Sequence, residues 1–328
     1  MATELASRAD PVLTVAYCFD GAYAFLTGVS LTSLLHNNPG RTVHVYCLVR
    51  DVSQQDRERL MRTARRYGAT LDYIELTSQG LDDLPQAEHL TSSMIYARLL
   101  LPRLLPADLE RVVYLDSDTL VLGDIGALAT MDMGACAVAA VLDVAHAAMG
   151  HRIGLPPGAY VNAGVQVMNL PRWREDSLGE RCIAALTDGD ASRRFSALDQ
   201  DALNYCLAGD FVPLSEDWNL AQHHRGEVTV MGTVIQSAPV TAQTRILQFL
   251  GRVKPHMVWY LGPGLREFER YKAASEWHDA PLLKPTQVAD VVDMADKLCI
   301  LGRSMEAVDL LKNGLMTLAG RLAEGHAG

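Results

Sequence analysis

The sequence predicts an α/β protein with a mostly parallel sheet flanked by helices. Two observations carry that expectation. Apolar runs that read as buried strands alternate with segments of helical spacing through the first half of the chain. Such alternation builds parallel strands with both faces covered. One of those runs, "RVVYLDSDTLVLGDI" from Arg111 to Ile125, delivers two aspartates, Asp116 and Asp118, where a buried strand ends. Ligands of such folds sit at the carboxyl ends of the strands.

The elements follow in order. Val12 to Phe19 reads as the first strand. Tyr23 to Asn37 has helical spacing, with Leu26, Val29, Ser30 and Ser33 on one face. Thr42 to Val49 is a second strand, and Ser53 opens a charged helix that Gly68 stops. Leu71 to Leu76 is a third strand. "SSMIYARLLLPRLL" predicts a short helix ending near Pro102, and the aspartate-bearing strand follows.

In the second half, "AVAAVLD", "YVNAGVQVMNL" and "RILQFLG" predict strands. Helices are expected over Leu178 to Thr187, Gln200 to Ala208 and Leu265 to Ala274. From Thr286 two helical segments flank Gly302. Val288, Val291, Val292, Ala295 and Leu298 form one apolar stripe, and Ala307, Leu310, Leu311, Leu315 and Leu318 another. A domain over 10–280 with a helical extension over 281–328 is expected. The extension would cap the domain or mediate a homodimer, apart from the chemistry.

The chain has 328 residues and a formal net charge of -10. That length supports a substantial core. The acidity argues against a general nucleic-acid binder, so an anionic ligand would have to be met by local cations or a metal. None of the six cysteines forms C-x-x-C, which predicts free thiols in a reducing compartment. No basic, then apolar leader opens the sequence. The longest apolar stretch, around Ala135 to Leu142, is far too short to span a bilayer. A cytoplasmic location is expected.

Asp116 and Asp118 admit two readings. Aspartate is common at strand ends, where its carboxylate bonds nearby amides. Yet the preceding strand has no solvated face, and two like charges so close repel unless a cation lies between them. Residues i and i+2 of a strand face the same side. Oxygen-only ligation suits Mg²⁺ or Mn²⁺. Such ions commonly bridge phosphate oxygens, which points to a nucleotide or nucleotide-sugar diphosphate.

The stretch "VVYLDSDTLV" resembles the metal-binding strand of the family 8 glycosyltransferases, which include glycogenin, galactinol synthases and bacterial lipooligosaccharide galactosyltransferases. "IYARLLLP" is similar to the family's Y-A-R-hydrophobic segment. "YVNAGVQVMNL" resembles F-N-A-G-hydrophobic-N-L, "DQDALN" reproduces D-Q-D-x-L-N, and "ILQFLGRVKPH" resembles H-x-x-G-x-x-K-P-W. One such match is weak, but five in the family's order, over roughly residues 12 to 275, are specific. The resemblance implies a single GT-A domain, a Rossmann-like nucleotide half merged with an acceptor half. It implies transfer from a UDP-sugar to a hydroxyl acceptor with retained configuration, and a divalent metal, Mn²⁺ or Mg²⁺.

Carried over residue by residue, the resemblance makes Asp116 and Asp118 metal ligands. Gln248 takes the third ligand position, where the family usually has histidine. A neutral amide is a weaker donor to Mn²⁺ than imidazole, so lower metal affinity or a preference moved toward Mg²⁺ is expected. Asp20 and Tyr23 would hold the uracil side of the donor, although Asp20 also reads as a turn cap. The family's neighbouring asparagine is Ala22 here. Ser117, Arg98, Gly251 and Lys254 would serve the donor phosphates and sugar. Asn162, Ala163 and Gly164 would wall the sugar, where a bulge is the plainer reading. Asp199 would bond sugar hydroxyls, Gln200 would sit near the anomeric carbon, and Asp143 would meet sugar or acceptor. His256 stands where the family often has tryptophan. His223 and His224 read as a solvated loop.

Two other functions stay open on sequence. One is a sugar-nucleotide hydrolase or nucleotidyltransferase. The latter usually carries a Gly-rich phosphate loop, which "FDGAYAF" is not. The other is a catalytically impaired binding protein with Gln248 as its scar, against which Asp116, Asp118, Asp199, Gln200 and Lys254 argue. The tail lacks the basic aromatic face of a membrane anchor, which favours a small soluble metabolite as acceptor.

Overall fold

The computed structural model describes residues 11–77, 81–85, 92–143, 147–190, 195–230 and 232–325. The first half contains β1 (Leu13–Asp20), α1 (Ala24–His36), β2 (Val43–Arg50), α2 (Gln54–Arg66), β3 (Thr70–Glu75), α3 (Leu101–Leu104), β4 (Arg111–Leu115) and β5 (Thr119–Val121). Then come β6 (Val138–Leu142), α4 (Ala147–Arg152), β7 (Val161–Asn169), α5 (Leu170–Glu175), α6 (Leu178–Thr187) and α7 (Leu198–Leu207). The last part holds β8 (Val212–Leu214), β9 (Leu220–His223), β10 (Glu227–Val230), β11 (Thr233–Gln236), β12 (Ile246–Leu250), α8 (Leu265–Ala274), α9 (Val288–Ile300) and α10 (Ser304–Gly325).

The central sheet has seven strands in the order β3-β2-β1-β4-β7-β6-β8. β3, β2, β1 and β4 run parallel. β7 is antiparallel to both β4 and β6, and β8 runs parallel to β6. The chain leaves β1 for β2 and β3 on one side and returns to β4 on the other. β1 and β4 therefore flank the point where strand order reverses, the place where open α/β sheets bind ligands.

β1 is buried on both faces, which is why it reads as an unbroken apolar run. Ala16 and Cys18 feed one core, and Leu13, Val15, Tyr17 and Phe19 feed the other. α1 is buried on nearly all sides, so its hydroxyls need partners. Ser30 shares hydrogen bonds with Tyr17 at 3.0 Å and with Thr119 at 3.1 Å, and Ser33 accepts from the Val121 amide at 2.9 Å. These bonds pin β5 to α1 and so fix the Asp116–Asp118 turn between β4 and β5.

Pro102 does not end a helix. A 3₁₀ helix spans Ser93–Leu100 and hands over to α3, with Pro102 in its first turn, where a missing N–H costs nothing. β12 joins a separate three-stranded sheet, antiparallel to β5 and parallel to β9. α4, α5, β8, β9, β10 and β11 are too short to show a period in the sequence.

α9 and α10 pack through Ala295, Leu298 and Ala307. The side chains of Leu315 and Leu318, part of the expected stripe, lie outside the described ones. Lys297 Nζ donates to the carbonyls of Val258 at 2.7 Å and Tyr260 at 3.2 Å, which ties α9 to the body. Among the described residues no helix is long and apolar enough to cross a membrane.

Candidate active site

A cavity of about 670 Å³ opens at the carboxyl ends of β1 and β4. Every residue singled out above for the donor, metal or catalytic set lines it. Strand direction explains the convergence. β7 runs antiparallel to β4, so its beginning lies beside the end of β4, and the Asp116 amide donates to Gly164 O at 2.8 Å. β12 runs antiparallel to β5, which sets Gln248 opposite Thr119. The Phe249 amide donates to Asp118 O at 2.9 Å. The first turn of α7 brings Asp199 and Gln200.

Both aspartates are held by side chains. Asp116 Oδ1 accepts from Arg98 at 2.8 Å and from Tyr114 Oη at 2.6 Å. Gln248 Nε2 donates to Asp116 at 2.9 Å and to Asp118 at 3.2 Å. Lys254 Nζ reaches Asp118 at 2.5 Å. Arg98 also pairs with Asp199 at 3.0 Å and donates to Ala163 O at 2.6 Å. Burial pushes the Asp116 carboxyl up to about 6; Arg98 pulls it back and Asp118 adds to the rise. Burial likewise raises Asp199 against the pull of Arg98. Burial also opposes the Arg98 charge, but Asp116, Tyr114 and Asp199 outweigh it and hold the guanidinium protonated. Gln248 is buried, and its Oε1 has no hydrogen-bond partner. Only glycine fits beside it: a Cβ on Gly164 would lie 2.1 Å from Gln248 Nε2.

A second polar group adjoins the first at Ala163. Gln200 Oε1 accepts from the Ala163 amide at 3.0 Å, and its Nε2 donates to Asp143 at 3.0 Å and to Tyr160 Oη at 3.3 Å. Asn162 Oδ1 accepts from the Gly164 amide and from Asn219 Nδ2, both at 2.8 Å. Tyr160 donates to Asp201 at 2.6 Å, and Asp201 in turn accepts the Ser196 and Ala197 amides at 2.6 Å each. This second group is a network with fixed rotamers, so its polar atoms are pre-set for a polar ligand.

Asp20 caps the turn after β1, accepting from the Ala22 amide at 3.0 Å, and still lines the cavity. Burial, with Asp118 next, pushes the Tyr23 phenol up to about 12. Ser117 Oγ accepts from Thr27 at 2.8 Å. Gly251 sits at φ +82, a conformation that favours glycine. His256 is buried, lies edge-on to Phe25 at 5.7 Å, and burial pushes it down to about 4. His223 is buried within β9 and His224 is half-buried in the turn after it; neither lines the cavity. The second sheet claims a segment that reads as a solvated loop.

Sequence reasoning passes over Tyr114, Tyr160, Asn219 and Asp201. Tyr114 shares a strand face with Asp116 by its i, i+2 spacing, a signal present in the sequence. Asn219 follows a short 3₁₀ turn that no periodicity marks. Leu283, Lys284, Thr286, Gln287 and Asp290 from the tail also line the cavity, nearer the site than the expected extension.

The model of the family described as Glycosyl transferase family 8 matches residues 14–259. General stress protein A of Bacillus subtilis is 26% identical over 277 residues, covering 83% of this chain and 96% of that protein. The lipopolysaccharide 1,3-galactosyltransferase of Salmonella typhimurium is 26% identical over 279 residues, covering 83% of this chain and 81% of its own. Among solved structures, galactosyltransferase LgtC in complex with donor and acceptor sugar analogues superposes with a TM-score of 0.69 at 21% identity. That match covers 80% of this chain and 96% of LgtC. At that identity the likeness speaks for the fold, which is GT-A.

Proposed function

Since the chain belongs to glycosyl transferase family 8 and is a glycosyltransferase, we propose that it moves a hexose or amino-hexose from a UDP-sugar to an acceptor hydroxyl, with retention and a divalent metal. One observation carries this reading. Asp116, Asp118 and Gln248 meet two cations, Arg98 and Lys254, in one cavity at the sheet's switch point.

The donor set fits a hard cation. Two carboxylates and an amide offer only oxygen ligands, which suit Mg²⁺ or Mn²⁺. The buried Gln248 Oε1 lacks a partner, and a half-turn of the amide exchanges it for the nitrogen that faces the aspartates. Asp116, Asp118 and Gln248 would hold the ion, which when bound supplies positive charge to a departing diphosphate.

The chain's own residues do the rest. Lys254 exchanges Asp118 for a phosphate oxygen, and the bare backbone at Gly251 admits the diphosphate closely. Arg98 keeps Asp199 and the Ala163 carbonyl in place beside the sugar. Gln200, fixed by the Ala163 amide and Asp143, presents its amide below the anomeric carbon. The acceptor hydroxyl then approaches on the face the leaving group departs from, and the leaving phosphate oxygen takes its proton. Asp199 is engaged by Arg98 and Asp143 by Gln200, so neither stands as a free nucleophile.

Incubation with UDP-sugars and Mn²⁺ or Mg²⁺, with and without hydroxyl acceptors, tests the reading through release of UDP. Acceptor-dependent UDP release is expected. Equal release without acceptor means a hydrolase, and none with any UDP-sugar overturns the proposal. The metal assignment has its own check. Gln248→His should tighten Mn²⁺ binding in the presence of UDP by about tenfold, because imidazole is the better ligand for that ion. Equal Mn²⁺ affinity in the two proteins would remove Gln248 from the ligand set.

A further inference from the structure

The loop that carries Gly251 and Lys254 is held by α9, and Arg252 of the loop and Asp290 of the helix both line the cavity. Arg252 lies between Gly251 and Lys254, and its guanidinium donates to Asp290 at 2.5 Å and to Asp293. Asp290 is buried and itself fixed. It accepts from the Thr286 and Gln287 amides at 3.2 and 3.1 Å and completes the capping box that starts α9. The segment before α9 is stitched to the same region: the Leu283 amide donates to His256 O at 2.8 Å, and the Val258 amide to Leu283 O at 3.0 Å. Further along the same face of α9, Arg225 pairs with Asp296 at 2.6 Å and with Asp293 at 3.8 Å.

We propose that Asp290 and Asp293 are positioning residues of the donor site: they grip Arg252 and so set the Gly251–Lys254 loop against the cavity. The proposal rests on the donor reading above, in which Lys254 and the Gly251 backbone meet the diphosphate. A loop with glycine at φ +82 has little stiffness of its own, so its place must be fixed by what it is bonded to. The Arg252 side chain is 40% exposed, and so open a pair adds little to stability. Its effect is on where the loop sits. The tail, placed apart from the chemistry by its sequence, becomes a wall of the nucleotide pocket.

Calorimetric titration of UDP with Mn²⁺ into the full chain tests this. The set is wild type, Arg252→Ala, Asp293→Ala and the double variant; Asp290 is left intact because it also caps α9. Each single variant should bind UDP about fivefold more weakly or worse, with an unchanged melting temperature. The double variant should bind no more weakly than Arg252→Ala, because Asp293 reaches the loop through Arg252 and its other pair, with Arg225 at 3.8 Å, lies away from that loop. Arg252→Lys should recover part of the loss. If Asp293→Ala lowers the melting temperature, Asp293→Asn decides: recovered UDP affinity supports the clamp and persistent weakness overturns it. Weak binding in Arg252→Ala alone would mean that Arg252 touches the ligand itself, and the clamp falls. Additive losses, or no loss in any variant, overturn it as well. Failure of the wild type to bind UDP would overturn the donor reading first and this proposal with it.

Discussion

Asp116→Asn and Asp118→Asn should each lower kcat by about 10³-fold or more. Asparagine is the informative replacement because it keeps the shape and one oxygen. Arg98 and Tyr114 both bond the same Asp116 oxygen, at 2.8 and 2.6 Å, and an amide oxygen still accepts both. The fold should therefore hold, with a smaller loss of melting temperature than Arg98→Met because Arg98 keeps Asp199 as a counter-ion, while the charge that on the proposed reading recruits a cation is lost. Asp118→Asn also frees Lys254 from its 2.5 Å partner. Its UDP affinity without metal should consequently change less than its kcat. Acceptor-dependent release of UDP gives the rates. Full turnover in either variant would sink the metal-assisted reading of the cavity.

Arg98→Met should cost about 3–5 kcal/mol of stability and abolish transfer. Arg98 is buried and answers Asp116, Asp199 and the Ala163 carbonyl at once. Methionine fills similar volume without charge, which leaves a buried Asp199 and a half-buried Asp116 without their shared cation. Breaking a buried ion pair from one side is costly for that reason. Arg98→Lys should recover only part of the loss, because an ammonium cannot copy the planar fork that spans three acceptors. Denaturant midpoints measure the effect. An unchanged midpoint in Arg98→Met would mean that both aspartates are solvated enough to stand alone, contrary to the burial of Asp199.

Much of this arrangement is legible in the sequence because it rests on local signals. β1, β2 and β4 announce themselves as largely apolar runs, and the aspartates stand out against the strand that carries them. Four of the five motifs name the cavity lining because they sit at a strand end or helix start; the Y-A-R segment lies within the 3₁₀ helix Ser93–Leu100. What escapes is set by long-range pairing. That β7 turns antiparallel beside β4 depends on packing that no window of residues records. That β12 leaves the main sheet to pair with β5 and β9 is equally hidden, so His223 reads as loop when it lies in a strand. The helix stripes after Thr286 are visible, but Arg252 and Asp290 are brought together only by the fold.

The contact between Lys254 and Asp118 has a thermodynamic consequence. A divalent ion arriving alone at the aspartates meets an ammonium already 2.5 Å from one of them. A phosphate arriving alone must draw that ammonium off its carboxylate. Each ligand thus clears the obstacle to the other, and on the proposed reading Mn²⁺ and UDP bind with positive coupling. Reciprocity requires one factor for both directions, commonly about 5- to 150-fold. Titrating Mn²⁺ with and without UDP measures it, and Lys254→Met should bring it toward unity; equal Mn²⁺ affinity in the wild type with and without UDP would dissolve the coupling. An ion held this way is carried in with the nucleotide and leaves with it, rather than residing in the resting protein.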